Sequence, residues 1–264
     1  MLVLLLGTNN LISPYTSTEL FHFVGRRDPS DDESNYQTLL KVLDSSCVSH
    51  PPHDPNMGHH QVAFNWDRSI FSEELIIPSI TCFCDIPFSA LEIHTKKYGQ
   101  FGVAFPREVL IKNGARPVIY LPLQPSDPNN GWGTIHCEAL LLDLEQIWRG
   151  FREHIVNPVA ANSWSRSMGK KPASAKEAAL AIDDVFTQQF LAYIKAFNSE
   201  LADDDPNNFY LEREWRKFGN LRFQPRDVAS VVVSPNYVER LKSERPIYAN
   251  KVLASECRRP IDQS

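Results

Sequence analysis

Residues 80–122 contain three short apolar runs separated by two segments of helical spacing, and this order most narrows the possible folds. The apolar runs are, in chain order, Ile80–Ile86, Phe101–Phe105 and Arg116–Leu121. They are rich in β-branched and aromatic residues, as strands are. The intervening segments, Ala90–Lys97 and Arg107–Lys112, have the spacing of helices. Strand, helix, strand, helix and strand at this spacing predict a compact α+β or α/β unit.

Local signals mark the ends of these elements. Pro87 stops the first strand, because proline cannot continue a hydrogen-bonded ladder. Ser89 follows at a position where its hydroxyl would cap the next helix. Asn113 and Gly114 then suit the C-terminus of the second helix.

The remaining elements lie before and after this central stretch. Strands are predicted for Glu19–Val24, Phe209–Phe218 and Asp227–Ser234, and helices for Asn35–Ser45, Ala139–Phe151, Ala175–Phe197 and Asn236–Ser243. Loops are predicted for Ser46–Gly58, Pro122–Gly133 and Asn157–Ser174. We therefore expect a single α+β domain over residues 1–264. It would have a mixed central β-sheet, flanking helices and a helical insertion at about 134–202.

Composition narrows the functional classes. The net charge of −5 argues against a dedicated nucleic-acid binder, although a local basic patch would leave nucleic-acid binding open. The five cysteines are odd in number and scattered, which indicates reduced thiols and a cytoplasmic protein. Met1–Gly7 is too short for a signal-peptide core or a membrane span, so we expect a short strand or a packed tail.

Glu212 and Glu214 form a Glu-x-Glu pair in a strand-like segment. On a strand both carboxylates would point to the same face, with Trp215 on the other. Two carboxylates within reach of each other can differ in pKa and share acid–base work. The alternative is a solvated edge strand whose glutamates pair weakly with neighbouring arginines.

His22 lies between Phe21 and Phe23, so strand alternation turns it away from the surface on which the phenylalanines pack. It could be a catalytic or ligand-binding group or a structural hydrogen-bonding residue. Tyr98 follows a short helix one turn after His94, where its ring could stack on a planar ligand or pack into the core.

The cysteines and the histidine-rich loop raise the question of a metal. Cys82 and Cys84 lack a second cysteine pair to complete a zinc site, and we interpret them as small core residues. The loop histidines are His50, His53, His59 and His60. Their spacing matches no closed zinc site, so no metal ligand is assigned.

Several of these blocks together resemble the abortive phage-resistance proteins of the AbiGi type. The matching blocks are His22, Cys82–Ser89, His94, Tyr98–Phe105, Pro117–Tyr120 and Glu212–Arg216. They cover about a third of the chain and occur in order from end to end. The resemblance implies a role in defence against phage, and that family is described mostly as an antitoxin-like partner.

The order of His, aromatic strand and Glu-x-Glu also resembles the general plan of ADP-ribosyltransferase folds. That resemblance implies NAD as the cofactor. His22 would hold the ribose, Tyr98 would pack on nicotinamide, and Glu214 with Glu212 would orient the ribose hydroxyl and stabilise an oxocarbenium-like state. Arg213, between the two glutamates, is a further candidate for binding NAD. No Ser-Thr-Ser motif accompanies them.

Three hypotheses follow. The first is an NAD-using toxin or effector of an abortive-infection system, with His22, Glu212 and Glu214 at its site. The second is a non-catalytic antitoxin or sensor whose helical region, residues 139–197, binds a partner protein. The third is a metal-dependent nuclease that uses the histidines and Asp85.

Overall fold

The computed structural model describes part of the chain, and the structural statements below concern that part. The described residues are 17–49, 62–68, 75–123, 135–156, 174–198, 200–202, 205 and 208–255. They form an α+β fold with a mixed seven-stranded sheet and several helices, which confirms the predicted fold class.

The strands in the described part of the chain are short, and each has five residues or fewer. They are β1 (Glu19–Phe23), β2 (Cys47–Val48), β3 (Val62–Phe64), β4 (Ile76–Pro78), β5 (Ile80–Cys84), β6 (Gly102–Pro106), β7 (Arg116–Pro117), β8 (Ile119–Leu123), β9 (Ile194–Asn198), β10 (Glu214–Phe218), β11 (Leu221–Arg222), β12 (Ser230–Val233) and β13 (Val252–Ala254).

The helices comprise α-helices and several short 3₁₀ turns. The α-helices are α1 (Asp32–Ser45), α2 (Glu92–Tyr98), α3 (Arg107–Lys112), α4 (Ile135–Phe151), α5 (Ala175–Gln189) and α6 (Val238–Glu244). The 3₁₀ turns are Phe88–Ala90, Leu191–Tyr193, Phe209–Glu212, Pro225–Asp227, Pro235–Tyr237 and Pro246–Lys251. Helix α4 continues into a π-helix, Arg152–Val156.

The large sheet has the strand order β13-β12-β6-β1-β5-β10-β7. It is mixed because β12 and β13 run parallel, whereas β6 is antiparallel to both β1 and β12. Three two-stranded sheets accompany it: β2 with β11, β3 with β4, and β8 with β9. Of these, β8 and β9 run parallel over five residue pairs.

The chain divides into two compact units, each described here by itself. The first comprises Met1–Leu39, Phe83–Val109 and Gln224–Ser264, and the second comprises Leu40–Cys82 and Leu110–Phe223. The division crosses β5 between Cys82 and Phe83. The helical insertion predicted at about 134–202 lies inside the second unit, and its status as a separate insertion stays a prediction.

In the first unit β6 is a largely buried strand. It pairs with β1 along all five residues of each strand, and four of its residues are buried. Gly102 begins this strand because a Cβ there would lie only 2.7 Å from the carbonyl oxygen of His22. One side of the strands packs into a core that includes Phe21, Phe23 and Val232. Burial of such side chains stabilises the fold by about 1.5–3 kcal/mol each.

The second unit packs its helices against the small sheets. Its core contains Leu75, Ile76, Leu141, Trp148, Leu191 and Ile194. Helices α4 and α5 are joined through Asp183, which accepts a hydrogen bond from the Trp148 indole at 3.2 Å and pairs with Arg152 at 2.8 Å. Trp148 is almost fully buried, so its N–H needs this acceptor.

Several local predictions were wrong, each because tertiary contacts outweighed a local pattern. The loop predicted for Ser46–Gly58 contains strand β2, which pairs with β11. Ser89 does not cap a helix, since a 3₁₀ turn precedes α2 and Leu91 is its N-cap without a side-chain bond. The helix predicted for Ala175–Phe197 ends at Gln189, and Ile194–Asn198 is strand β9.

The other two corrections concern single predicted strands. Arg116–Leu121 contains two strands, because β7 joins the large sheet and β8 pairs with β9. The strand predicted from Phe209 begins only at Glu214, since Phe209–Glu212 is a 3₁₀ turn. The predictions for Met1–Gly7 and for the loop histidines lie outside the described residues.

Candidate functional site

Glu214 is the first residue of β10 and faces the interior of the second unit. Along this strand Glu214, Arg216 and Phe218 are buried, whereas Trp215 and Lys217 are partly exposed. This alternation is the period of two that a strand imposes on its side chains. It directs a carboxylate and a guanidinium to the same covered face.

Glu212 reaches the same place by a different backbone route. Arg213, between the two glutamates, has a left-handed conformation with φ of 44°, which is uncommon for a residue other than glycine. The turn brings the Glu212 and Glu214 carboxylates to one ammonium group, Lys195 Nζ, at 2.9 and 3.0 Å. The predicted convergence of the two carboxylates is therefore observed, although no continuous strand produces it.

Lys195 lies on β9 and is 5% exposed. Its ammonium group also lies 4.6 Å from the centre of the Phe209 ring, a cation–π contact. Sequence reasoning missed this residue because its segment was interpreted as helix. The available signal was one lysine within the apolar run Ile194-Lys195-Ala196-Phe197, where a strand would bury it beside its neighbours.

Arg216 completes the arrangement. Its Nε donates to Glu214 Oε1 at 2.8 Å and its Nη2 donates to Glu214 Oε2 at 3.1 Å, a bidentate pair. Its Nη1 donates to the carbonyl oxygen of Ala192 at 2.7 Å. The guanidinium thus connects β10 to the 3₁₀ turn that follows α5. We call Lys195, Glu212, Glu214 and Arg216 the ionic cluster.

The ionic cluster is electrically balanced, with two carboxylates and two cations. Burial by itself would raise the pKa of Glu214, but the charges of Arg216 and Lys195 outweigh it and hold this pKa well below its usual range. Glu214 is therefore a carboxylate at neutral pH. A balanced set of buried charges with hydrogen bonds avoids the large cost of an isolated buried ion.

Two neutral side chains adjoin the cluster. The backbone N–H of Glu214 donates to the Tyr120 hydroxyl at 2.7 Å, and burial raises the pKa of Tyr120. Burial also raises the pKa of the Cys82 thiol, and the nearby charge of Glu214 adds to the effect. Cys82 is a protonated thiol hydrogen-bonded to Glu214. Cys84 packs in the core of the first unit, as predicted.

The geometry of Glu214 favours a structural role. Glu214 is 6% exposed, and both of its carboxylate oxygens accept hydrogen bonds from Arg216 or Lys195. A carboxylate that stabilises positive charge developing on a substrate must face that substrate. Here a substrate would first have to displace one of the two cations.

The other predicted site residues lie in the first unit. His22 is on β1, 8% exposed, with its ring 5.8 Å from that of Phe83. Tyr98 ends α2, packs against the core and lies 4.5 Å from the His94 ring. Since Glu214 belongs to the second unit, the convergence of His22, Tyr98 and Glu214 on one cleft stays a prediction, as does NAD binding.

A metal centre was the remaining chemical alternative. Among the described residues, no three His, Cys, Asp or Glu side chains are grouped so that they could hold a metal ion. Asp85, proposed for the nuclease alternative, pairs with Arg107 at 3.1 Å and accepts from the backbone of Ser17 at 3.0 Å.

Helix α5 carries a second candidate site, an apolar surface. It is formed by Ala178, Ala181, Ile182, Val185, Phe186 and Phe190, which we call the α5 strip. Ile182 and Val185 are 57% and 60% exposed. Since Leu180 is buried on the opposite side, α5 carries apolar side chains on both sides. A helix of that kind is normally covered on both sides.

Helix α4 also exposes large apolar side chains. Leu140 and Ile147, seven residues and two turns apart, are 50% and 69% exposed. Within the described residues, no helix combines the length and the apolar composition that crossing a bilayer requires. Exposed apolar helix faces of this extent are a feature of protein-binding surfaces.

Comparison with known proteins gives one family. The sequence model of the family described as "Putative abortive phage resistance protein AbiGi, antitoxin" matches residues 62–252. The match covers more than two thirds of the chain and includes both the ionic cluster and the α5 strip. No curated protein and no solved structure matches the chain.

Proposed function

We propose, from the premise that this chain belongs to the AbiGi family of abortive phage-resistance proteins, that it is an antitoxin that binds a partner toxin through its second unit. The family that matches this chain is described as an antitoxin. The function that fits this description is recognition and silencing of another protein of the same defence system. It corresponds to the second of the three hypotheses from the sequence, with the helical region 139–197 as the binding element.

The exposed α5 strip is the observation that carries the proposal. Ile182 and Val185 are more than half exposed on a helix that already buries its other side. Each exposed aliphatic side chain would gain about 1.5–3 kcal/mol from full burial. Isolated surface leucines and isoleucines need no explanation, but a contiguous run along one helix does.

The ionic cluster would hold the segment that follows α5. Arg216 holds the carbonyl oxygen of Ala192, which lies just after α5, and Lys195 follows three residues later on β9. Both cations are fixed by Glu214. The 3₁₀ turn that follows α5 is thereby joined to β10.

An NAD-using toxin is the alternative. Its support is the convergence of Glu212 and Glu214 on Lys195, which brings two carboxylates together as that chemistry would need. The engagement of both Glu214 oxygens with Arg216 and Lys195 weighs against this alternative, because a substrate would have to displace a cation to reach the carboxylate. A Glu214→Gln substitution that abolishes NAD consumption by the folded protein would reverse this order.

The antitoxin role can be tested in cells that carry the native defence locus. Depleting this chain alone should arrest growth, and supplying it in trans should restore growth. The double variant Ile182→Gln/Val185→Gln, which removes the apolar side chains without changing charge, should fail to restore growth. The matched control is Ile93→Gln/Ile247→Gln, whose isoleucines are 50% and 61% exposed in the first unit.

One result would contradict the antitoxin role, and another would contradict the α5 strip as its binding surface. Normal growth after depletion would show that no toxin is held in check by this chain. Full restoration by Ile182→Gln/Val185→Gln would show that the α5 strip is not the binding surface. Protein levels of all variants are measured by immunoblot, so that loss of function is not confused with loss of protein.

A further inference from the structure

We infer that the segment of the partner that docks on the α5 strip is a basic amphipathic helix, an inference that rests on the proposed function. It would place an apolar face along α5 and direct lysine or arginine side chains to the flanks. The shape of the strip, its charged surroundings and its helical backbone each support this class of partner.

The first support is shape. Ala178, Ile182 and Val185 are spaced at i, i+4 and i+7, so they lie on one face of α5. From Ala178 to Phe190 the strip extends about 18 Å, or roughly three helical turns. Alanines at its beginning leave a low ridge, whereas the stacked rings of Phe186 and Phe190, 5.4 Å apart, form its far end. A helix can therefore approach closely at one end and pack against the rings at the other.

The second support is charge. Of the three acidic residues of α5, Asp183 is buried and paired with Arg152, which leaves Glu177 and Asp184 on the partly exposed surface of the helix. Glu177 and Asp184 are seven residues apart and lie along the same edge of the strip. Complementary positive charge on a partner would speed association and select against acidic surfaces.

The third support is the backbone of the surface itself. Within the body of α5 the N–H and C=O groups are hydrogen-bonded along the helix, so its face presents side chains and no row of strand-pairing groups. An added β-strand gains its affinity from main-chain hydrogen bonds, which this face does not offer. Helix-on-helix packing, with ridges entering grooves, is the mode that fits.

The experiment uses the purified full chain and two synthetic peptides of about 18 residues, five helical turns. Both have leucines on one helical face, and the other face carries lysines in one peptide and glutamates in the other. The lysine peptide should bind on the order of tenfold more tightly, and its affinity should fall as salt is added. Fluorescence anisotropy of labelled peptides gives both affinities.

Two double variants separate the contributions of shape and charge. Ile182→Gln/Val185→Gln should weaken binding of the lysine peptide by about tenfold or more through lost apolar burial. Glu177→Gln/Asp184→Asn should weaken it severalfold and reduce its salt dependence. The control Ile93→Gln/Ile247→Gln should bind as the natural protein does.

Each contrary outcome has a distinct meaning. Equal binding of the two peptides, or no effect of Glu177→Gln/Asp184→Asn, would overturn the basic helix while leaving the cell assay to decide the antitoxin role. If the protein alone is a dimer that Ile182→Gln/Val185→Gln converts to a monomer, the occupant is a second copy and the inference is wrong. If Ile182→Gln/Val185→Gln fails to restore growth and the natural protein binds the lysine peptide more tightly, both the antitoxin role and the basic helix are supported.

Discussion

The second unit places charge in its interior and apolar side chains on its surface, and the contrast between these two regions is instructive. The four residues of the ionic cluster are each less than a tenth exposed, whereas Ile182 and Val185 on the α5 strip are more than half exposed. The buried charges are matched one to one and hydrogen-bonded. Buried polar groups and exposed apolar patches are the informative departures from the usual distribution. The buried charges are explained by their pairing within the chain, whereas the exposed apolar strip indicates a partner.

The contrast gives each region a different expected response to substitution. A change in the ionic cluster should lower the free energy of unfolding, because it leaves a buried charge without its counterpart. A change on the α5 strip should leave the free energy of unfolding almost unchanged and weaken binding instead. A cluster variant that kept its stability, or a strip variant that lost stability and kept its binding, would contradict this distinction.

The largest effect on stability is expected for Arg216→Met. Glu214 would keep Lys195 but lose both guanidinium bonds, and the Ala192 carbonyl would lose its donor. Removing one partner of a buried ion pair costs about 3–5 kcal/mol. Urea denaturation followed by fluorescence measures the change in the free energy of unfolding.

A surface ion pair provides the matched control. Lys96 pairs with Glu92 at 2.9 Å, but both side chains are 60% or more exposed. Lys96→Met should therefore cost less than about 1 kcal/mol. Equal losses for Arg216→Met and Lys96→Met would mean that the ionic cluster does not act as a buried, coupled set.

The next largest effect is expected for Glu214→Gln, which preserves shape and removes one charge. The amide oxygen can still accept a bond from Arg216, and Glu212 still pairs with Lys195, so the loss should be about 2 kcal/mol. Substitution to Gln also tests the enzymatic alternative, because an NAD-using enzyme would lose its activity while remaining folded at neutral pH.

A smaller, pH-dependent effect follows from the lowered pKa of Glu214. Its ordinary value is 4.5, and in the folded protein Arg216 and Lys195 hold the pKa below that despite burial. A carboxyl with a lowered folded pKa contributes stability that is present above about pH 4.5 and lost as the pH falls through the folded value. The natural protein should therefore lose stability on acidification from pH 5, and Glu214→Gln should lose less.

Comparing the two proteins at each pH isolates this contribution. Glu33 also has a lowered pKa, about 2, held there by its bonds to Arg240 and Gln37. It is present in both proteins, so its contribution cancels in the difference. Parallel stability curves for the natural protein and Glu214→Gln between pH 5 and pH 3 would contradict the assignment of Glu214 as a buried, ion-paired carboxylate.

The central elements of the fold could be predicted because local and tertiary preferences agree there. Helix α3 was predicted with its observed bounds, Arg107–Lys112, and Gly114 follows it with φ of 86°, as a helix end favours. Strand β1 was predicted to within a residue, since Phe21 and Phe23 alternate with His22 along it. Each of these patterns is contained in a few neighbouring residues.

The ionic cluster was only half predictable. Glu212 and Glu214 stood out in the sequence, but their partner Lys195 lies in a segment whose helical spacing continues from α5 into β9. The pairing of β9 with β8 decides that structure, and it joins residues about 75 positions apart. The left-handed turn at Arg213 gives no local signal either, because such a conformation usually calls for glycine.

The smallest effect on stability is expected for Ile182→Gln/Val185→Gln, and this result most sharpens the contrast. Both side chains are more than half exposed, and glutamine favours helix more than isoleucine or valine does. The free energy of unfolding should therefore change by less than about 0.5 kcal/mol, while binding of the lysine peptide falls by about tenfold. Combined with Arg216→Met, the losses in stability should add, because the hydrogen bonds described for Arg216 go to Glu214 and Ala192 and to no residue of the strip. A clear loss of stability in the double glutamine variant would instead show that the strip is packed within the chain, and the surface would no longer indicate a partner.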